Sequence, residues 1–333
     1  MQRSPGGVVM PEAPVYPCAG GAWMTGHSLE HLLSVLEIHV RSVALCAVGR
    51  GFRLFHEPSD AIAVHYVLEG EGWLEVEGSD PLPFRAGSVL IVPRDRWKRI
   101  GVARGAGADV DAGSHCRWAE DGLLMVDATG GQRPDIRFVC DVLSSGHASS
   151  LGLFDNLIDP VAEDLSDVPA ARAAFDIVLA ECDAPRFGSR ALIETTVKQC
   201  LILALRRHYE QYGAQSPLFA PFRDARLVRI AGAVVRAPGD AYTLDALAAS
   251  VGMSRSAFIK KFSESFGKSP MEFVAAVRLE AAARILRSSA LPVKAVASTV
   301  GFASRSHFSR AFRARYGADP SRYRRKAMAA PPP

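Results

Sequence analysis

The chain has 333 residues, 48% of them hydrophobic, which is enough to build two domains with buried cores. Residues 222–326 carry 20 Lys and Arg against 7 Asp and Glu, a net charge of +13, whereas the remainder carries −9. The N-terminus lacks a secretion-signal pattern, no apolar run approaches the roughly 18 residues of a membrane span, and the six cysteines lack metal-ligand spacing, so we expect a cytoplasmic protein with reduced thiols and no membrane contact.

The first 168 residues change pattern twice. Residues 1–20 are rich in Gly and Pro and are predicted to form a mobile tail, and Ser28–His39 has the spacing of an amphipathic helix. Within a predicted barrel domain at 21–168, short β-rich runs alternate with Gly- and Pro-containing turns, as in a barrel or a double-sheet jelly roll. The predicted strands are Ala61–Leu68, Trp73–Glu77, Ser88–Val92, Trp97–Val102 and Leu123–Asp127.

Two runs in this domain, 65–74 and 82–93, resemble the cupin barrel. Metal-binding cupins use several histidines and a carboxylate, and this chain offers His65 and Glu69 but no histidine after Pro93. We therefore expect neither a metal nor another cofactor. A small-molecule effector in the barrel mouth is expected instead, because such pockets are mostly apolar with a few polar groups. The candidate lining residues, which could equally be plain core, are Phe55, His65, Trp73, Phe84 and Trp97.

The segment that follows is helical. Residues 128–168 have no clear periodicity and Gly101–Gly113 is predicted to be a flexible loop, but Pro169–Cys182 and Arg190–Tyr209 have helical apolar spacing. The helices at 169–212 either cover the barrel or pair two subunits, and we favour a homodimer because an exposed apolar stripe needs a partner. A linker is predicted at 213–221.

The C-terminal region, 222–326, contains one pattern written twice at an offset of 50 residues. The matched pairs are Ser254/Ser304, Phe258/Phe308, Phe262/Phe312, Gly267/Gly317 and Pro270/Pro320. In each copy a short apolar helix ends at Val-Gly, and a serine then caps a second helix with aromatic residues every four positions. This arrangement predicts two helix-turn-helix units, each with a polar, basic face on its second helix.

A capping box with proline at the first helical position, 269–272, opens a long helix between the two units, to about Arg287. The region resembles the DNA-binding domain of AraC/XylS-type bacterial transcription regulators. The matched positions in the second unit are Val293, Ala297, Gly301, Phe302, Ser304, Phe308, Arg310, Phe312, Gly317, Pro320, Tyr323 and Arg324. Those of the long helix are Pro270, Phe273, Arg278, Ala282 and Leu286.

The resemblance implies a sequence-specific regulator of transcription that binds double-stranded DNA, with RNA polymerase as a candidate partner and activation as the expected effect. We expect it to be associated with the nucleoid in the cytoplasm. The expected architecture is α+β with two domains: an N-terminal cupin-like β-barrel with added helices, and a C-terminal all-α domain with two helix-turn-helix units.

Specific residues follow from the same resemblance. The positions implied to read bases are Ser256, Ile259, Lys260, Arg305, Ser306, Ser309 and Arg310. Arg255 and Lys261 are expected to contact phosphates. Arg322, Arg324, Arg325 and Lys326 contact phosphates or are solvated charges, and residues 327–333 are predicted to be a disordered tail.

Two alternatives stay open at this stage. A metal-dependent cupin enzyme would need a ligand set that the spacing does not supply, and no other catalytic residues can be named, so we expect no enzymatic activity. An architectural protein that bends DNA would also use two rigidly linked heads, but it would bind promoter and random DNA alike.

Overall fold

The computed structural model describes residues 43–118, 123–143, 153–154 and 157–329. The predicted tail at 1–20, the predicted helix Ser28–His39 and residues 330–333 lie outside these ranges. The two-domain α+β architecture is confirmed: strands fill the N-terminal half, and every element after Asp164 is helical.

The strands form two sheets. The first has the order β12-β6-β3-β11-β1-β10-β9 and the second β5-β4-β7-β2-β8. Only the β1–β10 and β2–β8 pairs are parallel among the pairings described. The bounds are β1 Ala44–Val48, β2 Phe52–His56, β3 Ile62–Glu69, β4 Glu71–Val76, β5 Leu82–Arg85, β6 Ser88–Val92, β7 Lys98–Gly101, β8 Ala108–Asp111, β9 Cys116–Trp118, β10 Leu124–Ala128, β11 Ile136–Leu143 and β12 Val161–Asp164.

The space between the sheets holds an apolar core. Because side chains alternate along a strand, β3 directs Ala63, His65 and Val67 inward and Val64 and Tyr66 outward. The inward residues meet the apolar residues of β4, β6 and β7, among them Leu74, Leu90 and Ile100. The β3 strand is therefore buried on both faces.

Residues 128–168 and 101–113 are more regular than their sequence suggested. The first segment contains β12 and the eight-residue β11, which lies between β3 and β1 in the middle of its sheet. A strand covered on both faces carries apolar residues at almost every position, so the alternation that marks a half-exposed strand is absent. The predicted loop Gly101–Gly113 contains β8.

Two helices cover the outer face of the larger sheet: α1 (Pro169–Asp183) and α2 (Ser189–Tyr212). Both were predicted to within three residues at each end. Their apolar side chains pack into one core with the outward residues of β3. The expectation that this stripe is exposed is therefore wrong, because residues such as Phe175, Val178, Val197 and Leu201 are buried within the chain itself. Pairing of two subunits stays a prediction.

The predicted linker is folded against the rest of the molecule. Gly213–Gln215 and Pro217–Phe222 form short 3-10 helices, and Leu218, Phe219 and Phe222 are fully buried. These side chains join the core that begins at the barrel and continues into the C-terminal domain.

Seven helices follow in the part of the chain that the structure describes. They are α3 Ala225–Arg236, α4 Leu244–Ser250, α5 Arg255–Phe266, α6 Pro270–Ser288, α7 Val293–Thr299, α8 Arg305–Tyr316 and α9 Pro320–Ala329. The last helix includes residues 327–329, which were predicted to be disordered. Among the helices described, none combines the length and apolar character needed to cross a bilayer.

The C-terminal domain has two separate cores. Residues of α3 to α5 and the first half of α6 belong to the same apolar cluster as the linker and the barrel's outer face. The second half of α6 packs instead with α7 and α8, around Leu286, Val296, Phe308 and Phe312. The first helix-turn-helix unit is thus continuous with the N-terminal half, whereas the second has a core of its own.

Candidate nucleic-acid interface

The two helix-turn-helix units have the same local geometry. Ser254 and Ser304 cap α5 and α8 by accepting hydrogen bonds from the backbone N–H groups of Ala257 and His307, at 3.3 and 3.4 Å. Both helices end at a glycine with φ near +66°, a conformation that side chains other than glycine's rarely adopt. The 50-residue sequence repeat is therefore a structural repeat.

Aromatic packing orients the second helix of each unit. Phe258, Phe262 and Phe266 of α5 are fully buried, and Phe262 packs edge-on against Phe273 of α6 with ring centroids 5.5 Å apart. In the second unit Phe312 packs in the same way against Tyr323, at 5.2 Å. With one face of each helix held in this way, the opposite face is left in solvent.

The predicted base-reading residues lie on these solvent faces. Ser256 and Lys260 of α5 are exposed, and Ile259 between them is half-buried. On α8, Arg305, Ser306 and Arg310 are exposed and Ser309 is half-buried. Each helix thus presents at least one lysine or arginine, a serine hydroxyl and a partly covered residue on its outer side, all of which can contact base edges.

The cations of the two faces are differently engaged. On α5, Arg255 lies 3.7 Å from Asp245 and Lys260 lies 4.0 Å from Glu264, in pairs whose members are all more than 60% exposed. Such surface pairs contribute little and are easily exchanged for a phosphate or a base. Within the described part of the chain, Arg305 and Arg310 of α8 form no ion pair, so their guanidinium groups are free to bind.

Lys261, which was predicted to contact a phosphate, already forms a close ion pair within the domain. Its Nζ lies 2.8 Å from Asp224, whose side chain is only 13% exposed and also accepts hydrogen bonds from Arg226. Hydrogen bonds from Arg226 and Lys261 hold the pKa of Asp224 well below its usual range. Since Asp224 also caps α3, this cluster connects the start of the domain to the reading helix α5.

In the sequence, Arg278 is only one of the positions that match the family pattern. In the structure, its side chain makes specific contacts that stabilise the domain. Its guanidinium lies within the domain and donates to the backbone carbonyls of Pro238, at 2.9 Å, and Asp240, at 2.7 Å. Gly301, in the turn of the second unit, packs directly on it: a Cβ there would lie 2.8 Å from the guanidinium carbon. Arg278 of α6 thereby fixes the long helix against both units.

A buried polar chain that the sequence did not reveal joins the barrel to the linker. His208 of α2 contacts Glu163 of β12 through Nδ1, at 2.6 Å, and Ser216 of the linker through Nε2, at 2.8 Å. All three side chains are buried. Their sequence separation is the reason no motif showed them.

The predicted effector residues divide between two faces. His65 and Phe84 are buried inside the barrel. Phe55, Trp73 and Trp97 are only half-buried and stack with Arg99 and Arg104 on the outer face of the smaller sheet. Alternation is the reason, because their neighbours Leu54, Leu74 and Lys98 are the residues that point inward.

The two residues suggested as part of a cupin metal site, His65 and Glu69, are not brought together. Glu69 pairs with Arg137 at 3.0 Å and is half exposed, whereas His65 is fully buried. In the parts of the chain that the structure describes, no group of three or more His, Cys, Asp or Glu side chains is placed to hold a metal ion.

Comparison with known proteins agrees with this architecture. Residues 28–210 match the model of the family described as Cupin, and residues 247–326 match that of a helix-turn-helix domain. The HTH-type transcriptional regulator MtrA of Neisseria gonorrhoeae is 26% identical over 90% of this chain and 98% of its own. A "Putative AraC-like transcription regulator" of Streptomyces antibioticus is 30% identical over 90% of this chain and 99% of its own.

A more distant likeness is the solved structure of ToxT from Vibrio cholerae O395, with 12% identity, 87% of this chain and 98% of that chain covered, and a TM-score of 0.38. The cupin match spans more than half of this chain, and the Streptomyces protein is matched over nearly its whole length. The chain belongs to the AraC-like transcription regulators, with a cupin domain before its DNA-binding domain.

Proposed function

We propose that this regulator activates transcription by placing α5 and α8 in successive major-groove segments on one side of its operator. The observation that carries this proposal is the duplicated geometry: two capped helices, each with its aromatic face buried and its cationic face in solvent. Two heads on one side of a duplex need a separation of about 34 Å, one helical turn. Arg278 and the α6 helix keep the two units in a fixed relation.

Base reading is divided between the heads. Lys260 on α5, and Arg305 and Arg310 on α8, donate to guanine N7 and O6, and the methyl groups of Ile259 suit a thymine methyl. Ser256, Ser306 and Ser309 add hydroxyl groups that serve several bases. Because the two faces differ in sequence, one subunit reads an asymmetric site.

Arg255 and Lys261 are the proposed phosphate contacts. Arg255 needs only to leave an exposed ion pair with Asp245. For Lys261 the geometry favours a structural task, because it would have to leave the largely buried Asp224. We therefore expect Arg255 to contribute more than Lys261 to the salt dependence of DNA binding.

We further propose that a small-molecule effector in the barrel controls the first head. The buried chain Glu163–His208–Ser216 and the linker residues Phe219 and Phe222 support this, because they connect β12 to the core on which α5 rests. A ligand that shifts β12 would shift the linker, because the buried side chains of Glu163, His208 and Ser216 are joined in series by hydrogen bonds. The second head has a separate core and is not coupled in this way.

The active form is proposed to be a homodimer. The large apolar side chains left exposed on the α1–α2 hairpin are Ile177, Phe187, Leu192 and Tyr212, at 43%, 109%, 43% and 50%. Leu192→Asp should then shift the protein to monomer in analytical ultracentrifugation, whereas Leu291→Asp, an equally exposed leucine of the C-terminal domain, should not. A Leu192→Asp variant that stayed dimeric would place the interface elsewhere.

One experiment tests both whether the protein activates or represses transcription and whether RNA polymerase is its partner. The operator is first found by selecting bound DNA from a random pool with the full-length protein. It is then placed upstream of a weak promoter and transcribed with purified bacterial RNA polymerase. We expect more transcript with the protein than without it; less transcript would make the protein a repressor, and no change would remove the polymerase as a partner.

A further inference from the structure

One end of the barrel interior is polar, in contrast to the apolar layer beneath it. Five side chains with ionisable groups point inward there: Cys46, His56, His65, Lys98 and Cys140. His65 and Cys140 are register partners on β3 and β11, and the rings of His56 and His65 lie 5.8 Å apart. The layer is built from five different strands, and the mechanism of DNA reading uses none of it.

Lys98 is the lysine of this layer, and its side chain is buried. Its side chain is only 7% exposed, yet no carboxylate among the described residues forms an ion pair with it. Burial lowers the pKa of Lys98, and the neighbouring thiols of Cys140 and Cys46 oppose that shift. An ammonium group in such a place is costly unless an anion accompanies it.

The neighbouring imidazoles also lack partners. Nε2 of His56 and both ring nitrogens of His65 are buried without a hydrogen bond among the described residues, although buried polar atoms are nearly always paired. Burial lowers the pKa of His56 to about 3, so its ring is neutral and keeps one N–H to donate. Imidazole nitrogens without a hydrogen bond thus lie in the same layer as Lys98.

A cavity of about 260 Å³ opens onto this layer. His56, Lys98 and Cys140 line it, together with Ala63 and Val142. At roughly 30 Å³ for each water in the liquid, this is space for a ligand of roughly eight non-hydrogen atoms. The carboxylates at its rim are those of Glu57, which is exposed, and Asp111, which accepts the backbone N–H of Ser114 at 2.8 Å. Neither forms an ion pair with Lys98.

We propose that this cavity is the effector site and that it binds a small carboxylate, with Lys98 as the counter-ion and His56 as a hydrogen-bond donor. The inference rests on the proposed sensor function and adds the chemical class of the effector. A carboxylate accepts two or more hydrogen bonds and supplies the missing charge. The apolar residues Ala63 and Val142 suit a short alkyl part. Because β11 and β3 form the wall of the cavity, an occupant acts on the sheet that also contains β12.

The test uses butyrate and its neutral isostere butyramide as probes, with the full-length protein and no DNA. Binding is measured by isothermal titration calorimetry at constant ionic strength. We expect butyrate to bind at least about tenfold more tightly than butyramide, the ratio typical of a hydrogen bond to a charged group. Lys98→Met should abolish that preference. Arg99→Met removes a cation from the same strand on the opposite face of the sheet, and it should leave the preference intact.

Equal affinity for the two probes, or a butyrate preference that survives Lys98→Met, would overturn the proposal. Inorganic phosphate is the third probe: if it alone binds, in a Lys98-dependent way, the ligand class is a phosphate and the carboxylate is wrong. Operator binding of the same samples is measured separately, so failure of this site is distinguishable from failure of the regulator function.

Discussion

Arg310 and Arg313 stand three residues apart on α8, and both side chains are exposed. Arg310 belongs to the face implied to read bases, whereas Arg313 lies in the last turn of the helix. Their contrast separates the reading of a base from the attraction of any cation to DNA, because every exposed cation contributes to binding without regard to sequence.

Replacing Arg310 by alanine should weaken operator binding by about 1–3 kcal/mol and relax the preference at one base position. Arg313→Ala serves as the matched control and should weaken operator and random DNA to a similar, smaller extent. Fluorescence anisotropy with both DNAs at two salt concentrations makes the comparison. Equal losses on both DNAs for Arg310→Ala would remove it from the base-reading set.

Asp224 gives a prediction about pH and stability. Arg226 and Lys261 hold its folded-state pKa below the unfolded value near 3.9. A group with a lowered folded pKa stabilises the protein fully above its unfolded pKa, and this contribution disappears as the pH falls through the folded value. The melting temperature of Asp224→Asn should therefore lie below the wild type above about pH 5. The gap should begin to narrow below about pH 4 and close only as the pH falls through the lowered folded pKa.

Asp245→Asn is the control for this effect, because Asp245 is 75% exposed and its ion pair with Arg255 is 3.7 Å long. Its melting temperature should follow the wild type across the same pH range. A gap for Asp224→Asn that widened in acid would contradict the assigned direction of its pKa.

At the residue scale, the sequence predicted which side chains are exposed better than it predicted which side chains contact each other. Offset matching placed Lys260, Arg305 and Arg310 on exposed faces, because local helix periodicity decides which residues share a side. It could not show that Lys261 pairs with Asp224, 37 positions away, or that His208 bridges Glu163 and Ser216. Such contacts depend on how elements pack, which no local pattern records.

The two reading helices are alike as elements but differ in what supports them. Phe262 of α5 belongs to a core that also contains the linker and the barrel's outer face. Phe312 of α8 belongs to a small core made only by the second unit. The same substitution at the two positions should therefore destabilise regions of different extent.

Phe312→Ala should cost about 3–5 kcal/mol of unfolding free energy within the second unit, as expected for truncating a buried phenylalanine. Hydrogen exchange followed by mass spectrometry should show faster exchange in α7 and α8, with α2 and β12 unchanged. Phe262→Ala is the matched comparison and should loosen α5 together with the linker and α2. Faster exchange of α2 and β12 in Phe312→Ala would mean that the two cores are coupled.

Element boundaries could be predicted where the chain carries explicit stop and start signals. Ser254 and Gly267 bound α5, and Ser304 and Gly317 bound α8, at the residues that the caps predicted. The strand β11 carries no such signals and is buried on both faces. Its sequence is therefore mostly apolar and does not alternate between apolar and polar residues. Its place in the middle of the sheet follows only from the tertiary fold.

On the scale of the whole molecule, the apolar cores do not follow the division into two domains. The linker's Phe219 and Phe222 are fully buried between the barrel's helices and the first helix-turn-helix unit. Composition and charge separated a basic domain from an acidic one, but they gave no indication that the linker is part of a core. Long-range packing of this kind is fixed by the joint shape of several elements.

Phe222→Ala should accordingly affect both halves of the protein. The cavity it leaves should cost about 3–5 kcal/mol and should speed hydrogen exchange in α2 and in α5 together. Operator affinity should fall, and more of the loss should come from contacts made by the first unit than from those made by the second. Exchange that changed in only one of the two helices would show that the linker does not transmit between them.

The central claim, that two different heads read two neighbouring groove segments, is tested most directly by selection of bound DNA from a random pool. Wild type, Lys260→Ala and Arg310→Ala are each used in full length. We predict that the wild type selects two sequence blocks about one helical turn apart, roughly 10 base pairs. Lys260→Ala should relax one block and Arg310→Ala the other; a single block, or relaxation of the same block by both variants, would contradict the account.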